Sequence, residues 1–428
     1  MSERLLRLIR PEEAELSRVD PLDDRTIEIA RSILTDIESR GEPAVREHAE
    51  RLGDLEPGAP LVLGRDELNM ALGACDAEAR AHLEAAAESI RVFAEGQRAS
   101  LKDFRMPIPG LPGGDMGHEL APVEVAGCYA PGGRYPLPSS VLMTAVTARA
   151  AGVPTVVVAS PKPQPATLAA AAISDADALI AVGGAQAIGA MVHGTSATPR
   201  ADAVVGPGNR FVTAAKQLVG GRVAIDMLAG PSEVLIIADD SADAGTLAAD
   251  LLAQAEHDDD AAAILVTTSR DLADAVEAEL AAQLETLPTA TVARRALQNS
   301  FCVLCDAIDQ AIDVSDRLAP EHLEIQTRDA EETAAACNHY GAVFIGEGAA
   351  EAIGDYGVGP NHTLPTGGTA RSFAGLSVMT FLRMRTYIRG GGEVSTPERT
   401  GLIRRTAALA RIEGLEAHAR SAERRLSR

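Results

Sequence analysis

From Pro122 onward, short runs of β-branched and other apolar residues alternate with segments of helical periodicity, and this alternation constrains the fold more than any other feature of the sequence. Strands that alternate with helices are typical of βαβ units, in which the strands run parallel and helices cover the sheet. The first series predicts strands at residues 123–129, 155–159, 178–182 and 203–205, with helices at 140–151 and 186–193. The chain is therefore predicted to be an α/β protein.

A second series of similar size follows the first and suggests a duplicated architecture, although no residue-level repeat relates the two. It predicts strands at residues 233–238, 263–267, 301–305, 323–326 and 342–345, with helices at 242–256 and 272–284. The first ~100 residues have helical periodicity, and a Gly/Pro-rich segment at 107–117 indicates a boundary. After Thr396 the chain is again predicted to be helical, and such a terminal arm often reaches a neighbouring subunit.

Composition excludes several classes of protein. The chain has 428 residues, a formal net charge of −22 and 46% hydrophobic residues, which is a globular rather than a disordered composition. The acidic balance disfavours binding to nucleic acid or to an anionic membrane surface, because the summed field repels phosphate. Residues 1–10 carry charges among their leucines, unlike the apolar region of a secretory signal. No apolar run approaches the ~20 residues of a membrane span, so we expect a cytoplasmic protein.

The five cysteines are an odd number scattered through the chain, unlike a disulfide framework. Cys302 and Cys305 form a C-x-x-C, but in a strand the two side chains would point to opposite faces, and no second pair completes a zinc site. We interpret both as buried core thiols.

A candidate cation site lies at the end of the helix predicted over residues 242–256. Gln254 and His257 are three positions apart and share a helix face, and aspartates follow at 258–260. A neutral imidazole beside oxygen donors suits a divalent cation such as zinc. The alternative is a structural helix C-terminus, where the histidine meets the carbonyl dipole and the aspartates are solvated.

A candidate proton-transfer pair lies at Glu321 and His322, directly after Pro320. The two groups titrate near ~4.3 and ~6.5 when unperturbed, so together they offer two proton acceptors. Neighbouring residues of a strand point to opposite faces, so both serve one site only in a loop or at a strand edge. A surface dipeptide is the alternative interpretation.

A glycine-rich loop carries a further carboxylate and imidazole, Asp355 and His362. Loops between rigid elements concentrate ligand-binding and catalytic groups, although a single histidine in a turn is more often structural.

Two glycine turns, at residues 183–189 and 206–209, each follow a predicted strand and open a helix. That arrangement exposes amide N–H groups to a phosphate, and two such turns in one α/β block favour a dinucleotide at the carboxyl edge of the sheet. Neither turn is a full G-x-G-x-x-G motif. Hydrolase chemistry is poorly supported, because no G-x-S-x-G elbow is present and Ser232 precedes a strand instead of following one.

Taken together, these segments resemble the histidinol dehydrogenase family over about residues 122–418. The resemblance consists of motifs in a fixed order: Cys-Tyr-Ala-Pro-Gly-Gly at 128–133, Pro-Ser-Ser-Val-Leu-Met at 138–143, Gly-Ala-Gln-Ala-Ile at 184–188, Val-Gly-Pro-Gly-Asn at 205–209, Asp-Met-Leu-Ala-Gly-Pro-Ser-Glu at 226–233, Gln-Ala-Glu-His at 254–257, Ala-Pro-Glu-His-Leu at 319–323, Gly-Pro-Asn-His-Thr-Leu-Pro-Thr-Gly-Gly at 359–368 and Glu-Gly-Leu-Glu-Ala-His at 413–418.

The resemblance implies a homodimeric, zinc- and NAD-dependent enzyme that oxidises L-histidinol to L-histidine through the aldehyde, with one Zn²⁺ per subunit. It implies that Glu321 and His322 are the catalytic pair. The implied zinc ligands are Gln254, His257, Asp355 and the partner subunit's His418. The implied substrate-binding residues are these ligands and the catalytic pair, together with Ser232, His362 and Glu413. The implied NAD-binding residues are Tyr129, Gln186 and Asn209.

The resemblance also implies two incomplete Rossmann-like domains with a helical N-terminal region and a C-terminal helical dimerisation arm. From it and the composition we expect residues 1–120 to join 237–375 in one α/β domain, 121–236 to form the NAD-binding domain, and 376–428 to form the arm.

One segment departs from the family pattern. Residues 127–137 have Arg-Tyr-Pro after the glycine pair, where Thr-Ala-Ala-Tyr-Pro is usual, and are similar to paralogues that oxidise other polar alcohols, such as sulfopropanediol dehydrogenase. A paralogous zinc/NAD dehydrogenase is therefore the alternative function. A catalytically silent nucleotide- or metal-binding protein is a third, and the Glu321-His322 pair disfavours it.

Overall fold

The computed structural model describes residues 4–15, 22–132, 136–390 and 396–426. The strands within these ranges are β1 (Arg7–Ile9), β2 (Val62–Gly64), β3 (Phe104–Pro107), β4 (Asp115–Pro122), β5 (Val125–Tyr129), β6 (Thr155–Ala159), β7 (Ala178–Ile180), β8 (Ala203–Val205), β9 (Ala224–Ile225), β10 (Glu233–Ala238), β11 (Ala262–Thr267), β12 (Phe301–Leu304), β13 (His322–Gln326), β14 (Ala342–Ile345) and β15 (Leu382–Arg389).

The α-helices are α1 (Asp24–Arg40), α2 (Glu42–Arg51), α3 (Arg65–Gly73), α4 (Ala77–Ser100), α5 (Pro138–Ala150), α6 (Pro165–Ile173), α7 (Gly184–His193), α8 (Arg210–Val219), α9 (Ala244–Ala255), α10 (Arg270–Leu284), α11 (Ala290–Ala296), α12 (Ile308–Leu318), α13 (Ala330–Ala336), α14 (Glu351–Tyr356), α15 (Pro397–Ile412) and α16 (Glu416–Glu423).

Two six-stranded sheets confirm the predicted α/β class. The first α/β sheet has the order β2-β7-β6-β5-β8-β9, and the second α/β sheet has the order β1-β12-β11-β10-β13-β14. All neighbours are parallel except β2, which is antiparallel to β7. In each sheet five successive parallel strands have the doubly wound order, which reverses direction between β5 and β8 and between β10 and β13.

The second α/β sheet is buried on both faces, which explains its nearly continuous apolar strands. Val234 and Ile236 of β10 pack in one cluster with the apolar residues of α9 and α10. Leu235 and Ile237 pack on the other face, in a cluster with residues of α12 and α13. Cys302 and Cys305 are buried and free, as predicted for core thiols.

The N-terminal region divides between the two sheets, contrary to the prediction that residues 1–120 join 237–375. β1 does join the second α/β sheet, beside β12, but β2 pairs with β7 of the first. Helix α1 also packs against α7 and α8, two of the helices that connect strands of the first sheet. The close approach depends on Gly189, since a Cβ there would lie 2.7 Å from Ile37 Cδ1.

The chain separates into two compact units. The first comprises residues 1–98 and 123–381 and contains both α/β sheets, and the second comprises residues 99–122 and 382–428. In the second unit β15, β4 and β3 form an antiparallel sheet, and α15 packs against α16. The predicted C-terminal helices are therefore present, but the segment predicted as an arm from residue 376 begins with a 3₁₀ turn and a strand. No helix in the described ranges is long and apolar enough to cross a membrane.

A buried ion pair fixes the turn after β8. Lys216 of α8 is paired with Asp226, and both side chains are buried. The two residues also hold the peptide groups of Gly206, because Lys216 Nζ donates to Gly206 O at 2.9 Å and Gly206 N donates to Asp226 Oδ2 at 2.7 Å. Gly206 has φ +115°, and a Cβ there would lie 2.0 Å from Tyr129 O, so only glycine fits.

Replacing Lys216 with Met should lower the free energy of unfolding by about 3–5 kcal/mol, because it leaves the Asp226 charge buried without its partner. The measurement is urea denaturation followed by circular dichroism, with Lys162→Met, at an exposed lysine, as the control. Equal midpoints for the two variants would contradict the importance of the pair.

Candidate active site and metal centre

The predicted catalytic pair lies at the amino end of the second α/β sheet. β10 and β13 are neighbours with Val234 opposite His322, so Ser232 and Glu233 come beside Glu321 and His322. Ala319, the residue after α12, has a left-handed backbone (φ 49°) that ends the helix and turns the chain into β13. Glu321 directly precedes the strand, and His322 is its first residue. At this position both side chains can reach one site, which neighbouring residues within a strand cannot do.

Glu321 is held by the segment before β10. Its Oε2 accepts hydrogen bonds from Ser232 Oγ at 2.7 Å and from Glu233 N at 3.2 Å. Burial, together with the nearby Glu233 carboxylate, raises the pKa of Glu321 well above its usual range. Burial also raises the pKa of Glu233 to about 7. The two carboxyl groups therefore resist being ionised together at neutral pH.

His322 is arranged as a proton acceptor. Its Nδ1 lies 3.2 Å from Glu233 O, which accepts but cannot donate, so Nδ1 carries the proton. Nε2 is buried and has no hydrogen-bond partner among the described residues. Burial lowers the pKa of His322 to about 3, so the ring is neutral and Nε2 has a free lone pair.

Three donor groups converge beside this pair. His257, Glu351 and Asp355 each offer a ligand atom, and these atoms all lie within 4.8 Å of one another. His257 follows α9, and the two carboxylates lie one turn apart on α14. The structure thus brings together His257 and Asp355 as predicted, and adds Glu351, which sequence reasoning missed.

Gln254 and His362, two other predicted site residues, border the same cluster. Gln254 is fully buried on α9, and its Oε1 lies 3.4 Å from Ser232 Oγ while its Nε2 has no partner in the described chain. His362 Nδ1 lies 3.7 Å from Asp355 Oδ1. The cluster therefore combines amide, imidazole and carboxylate donors.

The electrostatics of the cluster fit a divalent cation. Burial raises the pKa of Asp355 to about 6, and burial with the Asp355 and Asp250 charges raises that of Glu351 well above its usual range. Burial lowers the pKa of His362 to about 4. A neutral imidazole can bind a cation directly, and a carboxyl group releases its proton when a cation binds to it. Zinc accepts such nitrogen and oxygen ligands.

The predicted cofactor residues line one cavity of about 620 Å³ at the carboxyl edge of the first α/β sheet. Tyr129, Gln186 and Asn209 all contribute to its wall. A second cavity, of about 580 Å³, is lined by both Asn209 and Ser232. Asn209 belongs to both walls, and Ser232 in the second wall is bonded to Glu321. The first cavity therefore adjoins the region of the predicted catalytic pair.

Several amide groups in or directly after the two glycine turns, which were predicted to face a phosphate, have hydrogen-bond partners within the protein. Gly183 N donates to Asp54 Oδ2 at 3.2 Å, and Gly184 N donates to Tyr129 OH at 3.2 Å. The Asn209 side chain caps α8, accepting from the N–H groups of the second and third following residues. Local capping and a distant aspartate therefore satisfy these amides. Residues 133–135, in the segment that departs from the family pattern, lie outside the described ranges.

Glu413 and His418, the two remaining predicted site residues, belong to the second unit. Glu413 follows α15, and His418 lies on α16. Both residues are exposed in the single chain.

Comparison with known proteins gives matches over nearly the whole chain. A family model described as histidinol dehydrogenase matches residues 17–426. A relative of that name from Methanosarcina mazei is 42% identical over 395 residues, covering 91% of this chain and 89% of the relative. Another, from Thermus thermophilus, is 44% identical over 404 residues, covering 94% and 95%. A crystal structure of histidinol dehydrogenase from Elizabethkingia anophelis superposes with a TM-score of 0.89 at 32% identity, covering 100% of this chain and 99% of that chain.

Proposed function

The chain belongs to the histidinol dehydrogenase family, and on that basis we propose that it oxidises L-histidinol to L-histidine through L-histidinaldehyde, with two NAD per turnover and one zinc ion per subunit. The reaction would form the last steps of histidine biosynthesis, in the cytoplasm. The observation that carries the proposal is a neutral His322 whose Nε2 is buried without a hydrogen-bond partner among the described residues, and whose Nδ1 lies 3.7 Å from Glu321 Oε2 and 3.8 Å from Glu351 Oε1 of the donor cluster.

The first oxidation needs an acceptor for one proton. NAD, when bound, would accept the hydride of the alcohol carbon. His322 Nε2 accepts the hydroxyl proton, and the product of this step is the aldehyde. The bond between Nδ1 and Glu233 O leaves Nε2 as the accepting nitrogen and supports the imidazolium that forms.

The second oxidation needs water. Glu321, when ionised, takes a proton from the water that adds to the aldehyde carbon, while the His322 imidazolium returns its proton to the carbonyl oxygen, which gives the neutral hydrate. A second NAD would accept the hydride of the hydrate as the now neutral His322 takes the hydroxyl proton, and both residues then release their protons to solvent. A carboxylate whose pKa is raised by burial is a stronger base than a solvated one. The hydrogen bond from Ser232 Oγ at 2.7 Å fixes its orientation.

Gln254, His257, Asp355 and the partner subunit's His418 would hold the zinc. When bound, the ion would polarise and position a substrate that carries both an amine and an imidazole. Ser232, His362 and the partner subunit's Glu413 would bind the substrate, together with the zinc ligands and the catalytic pair. Tyr129, Gln186 and Asn209 would bind NAD in the 620 Å³ cavity.

A shared site in a homodimer agrees with the position of Glu413 and His418, which are exposed residues of the second unit in the single chain. A partner that completes the site would also retain the reactive aldehyde between the two oxidations.

One sequence feature favours a second candidate, a paralogous zinc/NAD dehydrogenase of another small polar alcohol such as sulfopropanediol. This feature is the Arg-Tyr-Pro sequence that follows the glycine pair within residues 127–137. A catalytically silent protein is disfavoured, because it has no need of a buried proton acceptor.

The zinc-loaded protein should form two NADH per L-histidinol consumed, and chelation should abolish the activity until zinc is restored. Absorbance at the NADH band against histidinol consumed measures the ratio. A ratio of one would contradict the four-electron reaction. Turnover of other polar alcohols by a protein inactive on histidinol would favour the paralogue.

Glu321→Gln should slow the second oxidation about 100-fold or more while sparing the first, because only the second requires activated water. The measurement compares NADH formation from L-histidinol and from L-histidinaldehyde. Glu285→Gln, at an exposed position, is the matched control. Equal loss of both oxidations would show that Glu321 does not have this separate role.

Co-expression of Glu321→Gln chains with His418→Asn chains should restore the second oxidation, measured with L-histidinaldehyde, to a rate that neither variant reaches alone. If each site combines residues of two subunits, a mixed dimer has one intact site, so random association gives about one quarter of the wild-type sites. Mixing Glu321→Gln chains with His322→Asn chains is the control, because both changes fall in the same unit and leave no intact site. Absence of restoration would contradict a shared site.

A further inference from the structure

We propose that Glu351 is a further ligand of the divalent cation in the substrate-free enzyme, beside His257 and Asp355. The inference rests on the cation site of the proposed function and adds a residue to it.

The position of Glu351 is the first observation. Glu351 and Asp355 are four residues apart on α14, so both carboxylates project from one face of the helix. Glu351 Oε1 lies 3.5 Å from His257 Nε2, and one ligand atom from each of the three residues falls within 4.8 Å of the others. A cation can therefore contact all three.

The lack of any other partner is the second observation. The Glu351 side chain is only 3% exposed, and neither carboxylate oxygen has a hydrogen-bond partner among the described residues. Gln254 Nε2, on the neighbouring helix α9, is likewise buried and unpartnered. Burying a carboxylate without compensation is strongly unfavourable, and a bound cation supplies that compensation.

A role of Glu351 in proton transfer is disfavoured by the same geometry. His322 Nδ1 is 3.8 Å from Glu351 Oε1 but only 3.2 Å from Glu233 O. The Nδ1 proton is therefore committed to the Glu233 carbonyl, which leaves Nε2 as the nitrogen that can accept a proton. Glu351 is left facing the donor cluster.

The backbone around Glu351 is anchored from the sheet, which fixes the point from which the side chain projects toward the cluster. Glu351 N, at the start of α14, donates to Glu324 Oε1 of β13 at 2.8 Å. Gln326 Nε2, two residues further along β13, donates to Asp250 Oδ2 at 2.9 Å and lies 3.3 Å from Glu324 Oε2. This buried network fixes the helix that carries two of the three donors.

The test is zinc affinity of the full-length protein, stripped with a chelator and titrated against a chromophoric competitor. Glu351→Gln, which keeps the shape but removes the charge, should weaken zinc binding at least about 10-fold. Glu347→Gln, at an exposed residue of the same segment, should bind zinc like the wild type. Asp355→Asn is the reference for loss of a ligand.

Cobalt substitution gives a readout that a merely structural role would not change. The visible spectrum of the Co²⁺ protein should differ between wild type and Glu351→Gln, and should be unchanged in Glu347→Gln. If Glu351→Gln fails to fold, Glu351→Asp keeps the charge at a shorter reach and should fold with an altered cobalt spectrum and weaker zinc binding.

The outcomes separate the two proposals. Wild-type zinc affinity and an unchanged cobalt spectrum in the folded variant would overturn the role of Glu351 and leave the proposed function intact. Failure of the wild type to bind zinc would overturn the cation site of the proposed function itself.

Discussion

The buried carboxylate and carbonyl of Glu233 connect three segments that are far apart in the chain, and the geometry of the proposed catalytic pair depends on them. Glu233 Oε1 accepts from Gly367 N at 2.8 Å and from Glu321 N at 3.2 Å, which places the 359–368 loop and the start of β13 around the strand β10. The carbonyl of the same residue fixes the His322 tautomer. One residue at the amino end of one strand thus sets the position of the carboxylate and the protonation of the imidazole.

Burial acts in opposite directions on the two kinds of titratable group in this site. It raises the pKa of Glu321 and of Asp355, the latter to about 6, and lowers the pKa of His322 to about 3. The imidazole is therefore a neutral acceptor, and the carboxyl groups give up protons mainly to a bound cation or to reacting water. A polar cluster of this kind is costly within an otherwise apolar core, and its cost is consistent with a functional rather than a structural origin.

The parts of the structure that could be predicted from the sequence are those with a local signal. The central strands of both sheets have long apolar runs, and Glu321 and His322 stand out as an acid-imidazole pair after a proline. β1 and β2 have three residues each and no periodicity, so their assignment to different sheets depends on long-range pairing.

Three polar side chains of the site region were missed for the same reason. Asp54, Glu233 and Glu351 acquire their roles from contacts with residues more than 20 positions away. Glu233 does fall within the family motif at residues 226–233, but the sequence around it resembles the start of an ordinary strand. Glu351 is the first residue of a six-residue helix whose composition has no cation signature of its own. In each case the local sequence does not distinguish a buried polar residue from a solvated one.

The proposed NAD cavity and the proposed catalytic pair lie at opposite edges of their respective sheets. The segment that connects the two sheets therefore has to be rigid. Ligands of open parallel sheets usually bind at the carboxyl edge, and the cavity proposed for NAD lies at that edge of the first sheet. In the second sheet the segments that follow β10 and β13 are joined at that edge, where Arg328 N donates to Asp239 Oδ2 at 3.0 Å, and the proposed catalytic pair lies at the amino edge instead. Hydride transfer requires reacting atoms about 3–3.5 Å apart, so the short segment from Asp226 to Ser232 has to hold one edge against the other. The pairing of Asp226 with Lys216 fixes its start, and the bond from Ser232 to Glu321 fixes its end.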